Sequence, residues 1–286
     1  MIHSTKPIEV FPGSSKLVEG ILPPASLLLI GQPGVGKTVF CKQFLYNGFA
    51  AGEPCIYLST DESPMGIADS MKRFGFNLEG KKSDIFRIVD CYSWKLGDGS
   101  LSEYMVSNPA DLAFVLGTTQ KAMRGLSNLR LVFDSITGLT SICSHSNVEV
   151  SKFLQIMVAE IRNAGGKAVF TVTPEAHDLQ FMSLLRQTFD GTLEMKEDET
   201  VKEIKRLLRV FSLRDAKHKT TWMPFEITDH GIVVKSDVEL RCAMCSRLID
   251  WEPQSEVIRG KEFNFDSIEC ANTYKKLKKL YGDDFA

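Results

Sequence analysis

The sequence predicts an α/β fold with a mainly parallel central sheet and helices on both of its faces. Short, nearly continuous apolar runs alternate with stretches of helical spacing from residue 20 to about residue 172. Strands that are buried on both faces give such runs, and the alternation supplies the helices that cover them. With 286 residues, 43% of them hydrophobic, the chain is long enough for one large core and a small second module.

The first strand and helix of this fold flank a glycine-rich segment. The apolar run SLLLI at 26–30 predicts a strand, and KTVFCKQFLYNGFAAG at 37–52 predicts a helix that ends at Gly52. Between them, GQPGVGKT at 31–38 fits the pattern G-x-x-x-x-G-K-[ST], in which glycines let backbone N–H groups turn toward phosphate oxygens. Because a strand precedes the pattern and a helix follows it, we expect a nucleotide-binding loop rather than an ordinary glycine-rich turn.

Two residues of this loop have distinct expected roles. Lys37 is expected to reach the β and γ oxygens of a triphosphate, and Thr38 is expected to ligate Mg²⁺. The predicted nucleotide-binding residues are Gly31, Gln32, Pro33, Gly34, Val35, Gly36, Lys37, Thr38 and Val39.

The elements that follow alternate in the same way. Apolar runs predict strands, and apolar residues at every third or fourth position predict helices. The predicted strands are 55–59, 85–90, 129–135 and 167–172; the predicted helices are 64–75, one that ends near Arg124, and 148–166, which ends at Gly165 and Gly166. After residue 190 the runs GTLEMK, LLRVFSLR, MPFEIT and GIVVK have no helix between them, which predicts a β-rich edge.

Acidic residues follow two of the predicted strands. Asp134 ends the run LRLVFDS, where an aspartate can hold Mg²⁺ through a water; an ordinary turn aspartate is the alternative, and the presence of the phosphate loop favours the metal role. Asp61 and Glu62 follow the run CIYLS, at the edge where parallel sheets bind ligands. A carboxylate there can activate an attacking water, or Thr60 or Ser63 can cap the next helix, and the residues alone leave both interpretations open.

Together these segments resemble the KaiC family, a branch of the RecA-like ATPases. The resemblance covers about residues 10 to 236 and depends on five segments in order: GQPGVGKTVFCKQFLYNG, YLSTDESP, FGFNLE, LVFDSITGL and PFEITDHGIVV. It implies a RecA-like core that often forms hexameric rings with ATP between neighbouring subunits. It also implies that Glu62 is the catalytic glutamate and that Asp61 is the acid beside it.

One segment departs from the family pattern. The family often carries K-L-R-G, whose Lys and Arg reach the phosphates of the neighbouring subunit, whereas this chain reads SLRDAKH at 212–218. Ser212 stands in the position of the Lys and Asp215 in that of the Gly, while Arg214 is retained and can act in trans. Loss of one cation from the transition-state clamp predicts slower hydrolysis; Lys217 or His218 are candidates to compensate.

The last part of the chain contains a second candidate site. Cys242 and Cys245 form a C-x-x-C pair, and Asp266 and Cys270 follow about 20 residues later. The tail resembles small treble-clef or TRASH-like zinc modules, and Asp266 occupies the position of one expected cysteine. Zinc accepts a carboxylate oxygen, so we expect a site of three thiols and one carboxylate.

Two alternatives to a zinc site remain open at this point. Asp266 and Glu269 fit a helix-cap pattern, and the helix would run over 267–282. The three thiols can also be metal-free on a hairpin. A tail of this size has little core, which favours metal as the source of its stability. We therefore predict an ATPase domain at 1–238 and a zinc-binding module at 239–286.

Charge and apolar content disfavour some classes of function for this protein. Lys plus Arg number 34 and Asp plus Glu number 36, a balance that disfavours nucleic acid as the main partner. The start of the chain lacks a secretion signal and no run approaches the length of a membrane span, so we expect a cytoplasmic protein. The leading hypothesis is a slowly hydrolysing, oligomeric signalling ATPase that uses ATP and Mg²⁺ and acts on a protein partner. The alternatives are an ATP-dependent switch without turnover and, less favoured, a recombinase-like DNA-handling ATPase.

Overall fold

A computed structural model describes residues 9–19, 25–78, 85–96, 102–198, 205–235, 242–247, 249, 254–258 and 261–281. The chain divides into two compact units, Met1–Lys235 and Ser236–Ala286. Among the residues described, no helix is both long enough and apolar enough to cross a bilayer.

The larger unit is built on one ten-stranded sheet within the part of the chain that is described. Its strands are β1 (Ser26–Gly31), β2 (Cys55–Ser59), β3 (Phe86–Asp90), β4 (Tyr104–Met105), β5 (Arg130–Asp134), β6 (Lys167–Val172), β7 (Gly191–Asp198), β8 (Lys205–Leu213), β9 (Met223–Thr228) and β10 (Gly231–Val234). Its helices are α1 (Ser14–Leu17), α2 (Lys37–Ala51), α3 (Pro64–Arg73), α4 (Leu112–Met123), α5 (Ile136–Ile142), α6 (Asn147–Asn163) and α7 (Leu179–Thr188).

The sheet order confirms the predicted fold class. The strands lie in the order β10-β9-β8-β7-β1-β6-β5-β2-β3-β4. All pairs from β7 to β4 are parallel, whereas β8, β9 and β10 add an antiparallel edge. The predicted β-rich edge after residue 190 is therefore confirmed. The structure adds α1, β4, α5 and α7, which the sequence analysis did not assign. Of these, α1, β4 and α5 have seven residues or fewer, too few to show a clear period.

Both faces of the sheet are buried, as the nearly continuous apolar strands require. In β1, Leu28 and Ile30 pack into one apolar cluster, whereas Leu27 and Leu29 pack into the other. This division follows from the alternation of side chains along a strand. Helix α6 covers the first face and α2 covers the second. Burying each such leucine contributes about 2 kcal/mol, and the two layers hold the strand ends in fixed positions.

A buried arginine fixes the far end of α2. Arg130 is 2% exposed; it forms an ion pair with Glu53 and donates to the carbonyl oxygen of Phe44 at 2.9 Å. Its guanidinium also lies over the Phe44 ring, 5.0 Å from the centroid. A Cβ at Gly48 would overlap the Arg130 side chain, so a larger residue there would displace the guanidinium from its partners. These contacts tie α2 to the start of β5, while its other end begins at the glycine-rich loop.

The smaller unit is an antiparallel hairpin followed by a helix. Strands β11 (Gln254–Ile258) and β12 (Lys261–Phe265) pair, and α8 spans Ile268–Tyr281. Its core is small: the rings of Phe263 and Phe265 lie 5.2 and 5.3 Å from that of Tyr274. Units of this size bury little apolar surface and usually need a further source of stability.

Candidate functional site

The glycine-rich loop lies where the sequence predicts it, between β1 and α2. Gly34 and Gly36 have φ angles of 83° and 114°, which favour glycine. A Cβ at Gly36 would also lie 2.8 Å from Cδ1 of Ile227. Val35 is fully buried and anchors the loop, whereas Gln32 and Pro33 are exposed. The loop therefore presents backbone at the carboxyl edge of the sheet.

Lys37 lies folded over the loop that precedes it. Its ammonium donates to the carbonyl oxygens of Gly31 at 2.5 Å and Gln32 at 3.0 Å, and to Oγ1 of Thr173 at 3.3 Å. Partial burial lowers the pKa of Lys37, and the nearby carboxylates, Asp134 foremost, oppose that shift. The ammonium thus lies in a half-buried position beside acids, with no fixed anion of its own among these contacts.

Asp134 and Thr38 meet at this edge. Asp134 is 7% exposed, and its Oδ2 accepts hydrogen bonds from Thr38 Oγ1 at 2.8 Å and from the Tyr57 hydroxyl at 3.0 Å. Its Oδ1 accepts from Thr171 Oγ1 at 2.6 Å. Carboxylate and hydroxyl oxygens are the donors that Mg²⁺ prefers. The pair of Asp134 and Thr38 therefore fits a magnesium site.

Tyr57 and Thr171 are residues that the sequence did not single out. They lie on β2 and β6, the two neighbours of β5, and both hydrogen-bond to Asp134. Burial, followed by the nearby Asp134 carboxylate, raises the pKa of Tyr57 well above its usual value, so this hydroxyl stays a donor. The sequence signal that could have indicated these residues is a polar side chain within a largely apolar run.

Asp61 and Glu62 diverge although they are adjacent. Asp61 accepts a hydrogen bond from Ser135 Oγ at 2.9 Å. Loss of hydration raises the pKa of Asp61, and the Asp134 carboxylate adds to that rise against the opposing hydrogen bond from Ser135. Glu62 instead forms an ion pair with Lys42 on α2, at 2.6 Å between Nζ and Oε2. Asp61 thus belongs to the neighbourhood of Asp134, and Glu62 lies toward α2.

The capping alternative for this turn is confirmed for Ser63. The Oγ of Ser63 accepts from the backbone N–H of Gly66 at 3.2 Å and caps α3. Thr60 does not cap; its hydroxyl oxygen accepts from the backbone N–H of Ser135 at 2.9 Å. Ser59 fixes the backbone of Glu62, since its hydroxyl accepts from the N–H at 3.1 Å and donates to the carbonyl oxygen at 2.7 Å.

Arg214 lies at the opposite end of the sheet from the loop. Its backbone N–H donates to the carbonyl oxygen of Asp190, which precedes β7, and its guanidinium donates to the carbonyl oxygen of Gln187 at 3.2 Å. The start of β7 pairs with Leu27, whereas the loop begins at Gly31. These positions on β1 are about 13 Å apart along the strand. Arg214 is therefore not brought together with the loop of the same chain.

A segment after β6 lies next to Lys37 and was not predicted. The backbone N–H of Thr173 donates to Thr137 Oγ1 at 3.0 Å, and His177 Nε2 lies 3.0 Å from the same oxygen. Burial lowers the pKa of His177 despite the nearby Asp178. Because β6 is adjacent and parallel to β1, the segment TPEAH at 173–177 lies at the same edge as the loop. The sequence alone does not show that β6 and β1 are neighbours, so the position of this segment could not be predicted.

The smaller unit brings its four predicted ligands together. Cys242, Cys245, Asp266 and Cys270 each offer one ligand atom, and these atoms lie within 4.8 Å of one another. Cys245 Sγ lies 3.3 Å from Asp266 Oδ2. The neighbouring thiols, Cys270 first, lower the pKa of Asp266 to about 2, and Asp266 raises that of Cys270 to about 12. Three thiols and one carboxylate oxygen match the donor number and type of a tetrahedral zinc site.

The cap role proposed for Asp266 is taken by another residue. The Oγ of Ser267 accepts from the backbone N–H of Cys270 at 3.2 Å, at the start of α8. The carboxylate of Asp266 lies instead against the cysteines, 3.9 Å from the guanidinium of Arg247. The geometry thus favours a ligand role for Asp266 over the capping alternative.

Comparison with known proteins places most of the chain in one group. The sequence profile of the family described as "ATPase: KaiC" matches residues 11–239. A UPF0273 protein of Pyrococcus horikoshii is 30% identical over 234 residues, which is 80% of this chain and 94% of the relative. One from Thermotoga maritima is 31% identical over 228 residues, 78% of this chain and 93% of the relative.

A solved structure supports the fold. The crystal structure of a KaiC-like protein from Pyrococcus horikoshii OT3 superposes with a TM-score of 0.61 at 23% identity. The match covers 79% of this chain and 96% of that one. At this identity the likeness shows the fold alone.

Proposed function

The chain belongs to the KaiC family of ATPases, and from that premise we propose that it binds Mg²⁺–ATP at residues 31–39 and hydrolyses it slowly as a regulatory switch. Gly31 to Val39 would hold the phosphates through backbone N–H groups, with Lys37 on the β and γ oxygens. The state of the nucleotide would then be communicated to a protein partner.

One observation carries this proposal: Thr38 and Asp134 are in direct contact at 2.8 Å, beside Lys37. Thr38 lies in the first turn of α2 and Asp134 ends β5, 96 positions apart in sequence, and their oxygens are suited to Mg²⁺. Bound Mg²⁺ would neutralise charge that develops on the phosphate oxygens. A phosphate loop, a metal-binding acid and a cation at a single edge are what nucleotide hydrolysis requires.

In the proposed reaction, Glu62 accepts a proton from an attacking water. The water oxygen forms a bond to the γ-phosphorus, the bond from that phosphorus to the β–γ bridging oxygen breaks, and ADP leaves with the electron pair. Asp61, held by Ser135, would help to orient the water. Lys37 would stabilise the negative charge that moves to the leaving oxygen.

Arg214 would complete the site from a neighbouring subunit. Its place at the opposite end of the sheet from the loop supports a role in trans, in a head-to-tail oligomer such as a ring. Ser212 provides no charge where the family often has Lys, so the transition state would be stabilised by one cation fewer. A slow turnover follows from that loss.

The proposal is tested by phosphate release from purified protein over hours. Glu62→Gln is expected to abolish turnover while ATP still binds with a Kd within about threefold of wild type. Glu160→Gln is the matched control, because Glu160 lies near the end of α6, away from the loop. The Glu160→Gln variant should release phosphate at the wild-type rate. If wild type and Glu62→Gln release phosphate equally, Glu62 has no catalytic role. If wild type binds ATP without Glu62-dependent release, the alternative of a switch without turnover replaces the proposal.

We further propose that residues 239–286 form a zinc-binding module attached to an ATPase domain at 1–238. Support comes from the four ligand atoms that converge within 4.8 Å and from the small apolar core around Tyr274. The recombinase-like alternative gains no support from charge, because the chain carries a net charge of -2. Its test is the salt dependence of any DNA binding.

A further inference from the structure

Helix α2 buries a lysine on its apolar side. Lys42 is 2% exposed, and the residues around it on α2, such as Phe40 and Phe44, belong to the apolar core. Its ammonium donates to Oε2 of Glu62 at 2.6 Å and to Oγ of Ser70 at 2.6 Å. Lysine is almost never fully buried unless it is paired. Its presence here makes a carboxylate partner a requirement of the fold.

The pair is asymmetric in its exposure. The Lys42 side chain is 2% exposed, whereas that of Glu62 is 30% exposed. Glu62 can therefore be hydrated if the pair opens, but Lys42 would then keep, among its hydrogen bonds to described residues, only the one to the neutral hydroxyl of Ser70. A buried ammonium that loses its counter-charge is strongly disfavoured. Opening the ion pair is therefore unfavourable because Lys42 stays buried and charged, and this free-energy difference keeps the Glu62 carboxylate bound to Lys42.

The pair also determines where the Glu62 carboxylate lies. A Cβ built on Gly66 would come 3.1 Å from Cγ and 3.4 Å from Oε1 of Glu62, so the carboxylate packs against the first turn of α3. Asp61, by contrast, bonds to Ser135 next to Asp134. Of the two adjacent acids, Glu62 is thus the one drawn to the junction of α2 and α3.

We propose that Lys42 is a positioning residue that restrains Glu62 at the α2–α3 junction and thereby limits ATP turnover. This inference rests on the proposed catalytic role of Glu62. To accept a proton, the carboxylate must come within hydrogen-bond distance of the attacking water. While Oε2 is bound to Lys42, the ammonium competes with that water for the same carboxylate. Each turnover then includes the unfavourable opening of the pair.

The first test is steady-state ATP turnover of Lys42→Met and Lys42→Gln. Both remove the charge, and Gln keeps a hydrogen-bond donor for Ser70 if Met proves too disruptive. The expected result is a rise in kcat of about tenfold, with KM and the Kd for ATP within about twofold of wild type. Lys152→Gln removes an exposed lysine on α6 and is the charge-matched control, which should leave kcat unchanged.

A second test needs no turnover. In nucleotide-free protein, Glu62→Gln leaves Lys42 buried without a counter-charge and should lower Tm by about 6–12 °C. Lys42→Met alone leaves a hydrated Glu62 and should have a smaller effect. The double variant should recover most of the loss. Strictly additive changes in Tm would show that the two side chains are not coupled.

The outcomes separate this inference from the proposed function. If Glu62→Gln retains wild-type turnover, the catalytic role of Glu62 fails. If Glu62→Gln abolishes turnover but folded Lys42→Met and Lys42→Gln turn over at or below the wild-type rate, the restraint alone fails. If either Lys42 variant gains turnover, adding Glu62→Gln must remove the gain, and a gain that persists would overturn the restraint.

Discussion

The hydroxyl of Thr38 lies 2.8 Å from Oδ2 of Asp134 and joins the first turn of α2 to the carboxyl end of β5. The two residues differ in what a substitution would disturb. Asp134 is buried among three hydroxyl donors, whereas Thr38 is exposed. Thr38 is therefore the better residue to substitute as a test of the metal site, because the loss of its exposed side chain should change the stability of the fold only slightly.

We predict that Thr38→Ala lowers the affinity for Mg²⁺–ATP by about tenfold or more, since one oxygen donor to the metal is lost. Affinity measured in excess EDTA should change less than twofold. Isothermal titration with and without Mg²⁺ measures both. Thr38→Ser keeps the hydroxyl and should bind as wild type does. An equal loss with and without Mg²⁺ would mean that Thr38 acts on the loop and not on the metal.

A second prediction follows from the position of Arg214 at the opposite end of the sheet from the loop of its own subunit. Arg214→Ala and Glu62→Gln should each be inactive alone. Mixed in equal amounts and allowed to exchange subunits, they should recover about a quarter of wild-type turnover, because some head-to-tail interfaces pair an intact Glu62 with an intact Arg214. Phosphate release before and after mixing measures the recovery. No recovery in a mixture shown to exchange subunits would exclude a role in trans.

The residues that sequence alone predicted are those whose constraint is local. The loop from Gly31 to Thr38 is specified by glycines, a lysine and a hydroxyl that are contiguous, so pattern and flanking elements were sufficient. Asp134 was predicted because it ends an apolar run. What sequence could not predict is the strand order: β1 lies between β7 and β6, and only that order brings Thr173 beside Lys37.

The buried pair escaped prediction for a different reason. Apolar periodicity averages over a helix, and one lysine among aromatic and aliphatic residues in α2 does not change it. Lys42 is buried only because Glu62, 20 positions away, reaches it from the end of β2. Tyr57 and Thr171 are similar: each is one polar residue in an apolar strand, and its partner comes from a neighbouring strand.

A third prediction concerns acid stability and the buried Arg130. Burial on its own would raise the pKa of Glu53, but the hydrogen bond and charge of Arg130, together with Lys167, outweigh it and lower the pKa below 4.5. A lowered pKa contributes stability that is present above the unfolded-state value and lost as the pH falls through the folded-state value. Because of Glu53, the Tm of wild type should therefore fall more steeply below about pH 4.5 than the Tm of a variant that lacks this carboxylate.

Glu53→Gln tests this directly by thermal unfolding between pH 7 and pH 3. At pH 7 the variant should be less stable by about 3 kcal/mol, since buried Arg130 loses its counter-charge. Toward low pH the difference between the variant and wild type should shrink. A difference that stays constant over the whole range would show that the ionisation of Glu53 does not contribute.

The last prediction concerns the cysteine cluster of the smaller unit. Purified protein should contain about one zinc ion per chain, as four ligands complete one tetrahedral site. Removing zinc with a strong chelator should expose the region after residue 235 to protease, because metal-binding free energy in such a small unit is folding free energy. Elemental analysis gives the stoichiometry, and limited proteolysis followed by mass spectrometry locates the cleavage.

Substitutions can distinguish a specific zinc site from thiols that bind metal nonspecifically. Cys245→Ser should abolish stoichiometric zinc, and Asp266→Asn should weaken it, whereas Asp266→Cys should retain it because sulfur is a preferred zinc ligand. Cys143→Ala is the matched control, since Cys143 lies in the apolar core of the larger unit and has no place among the four ligands. Zinc that survives Cys245→Ser at full stoichiometry, or is lost with Cys143→Ala, would contradict the assigned ligand set.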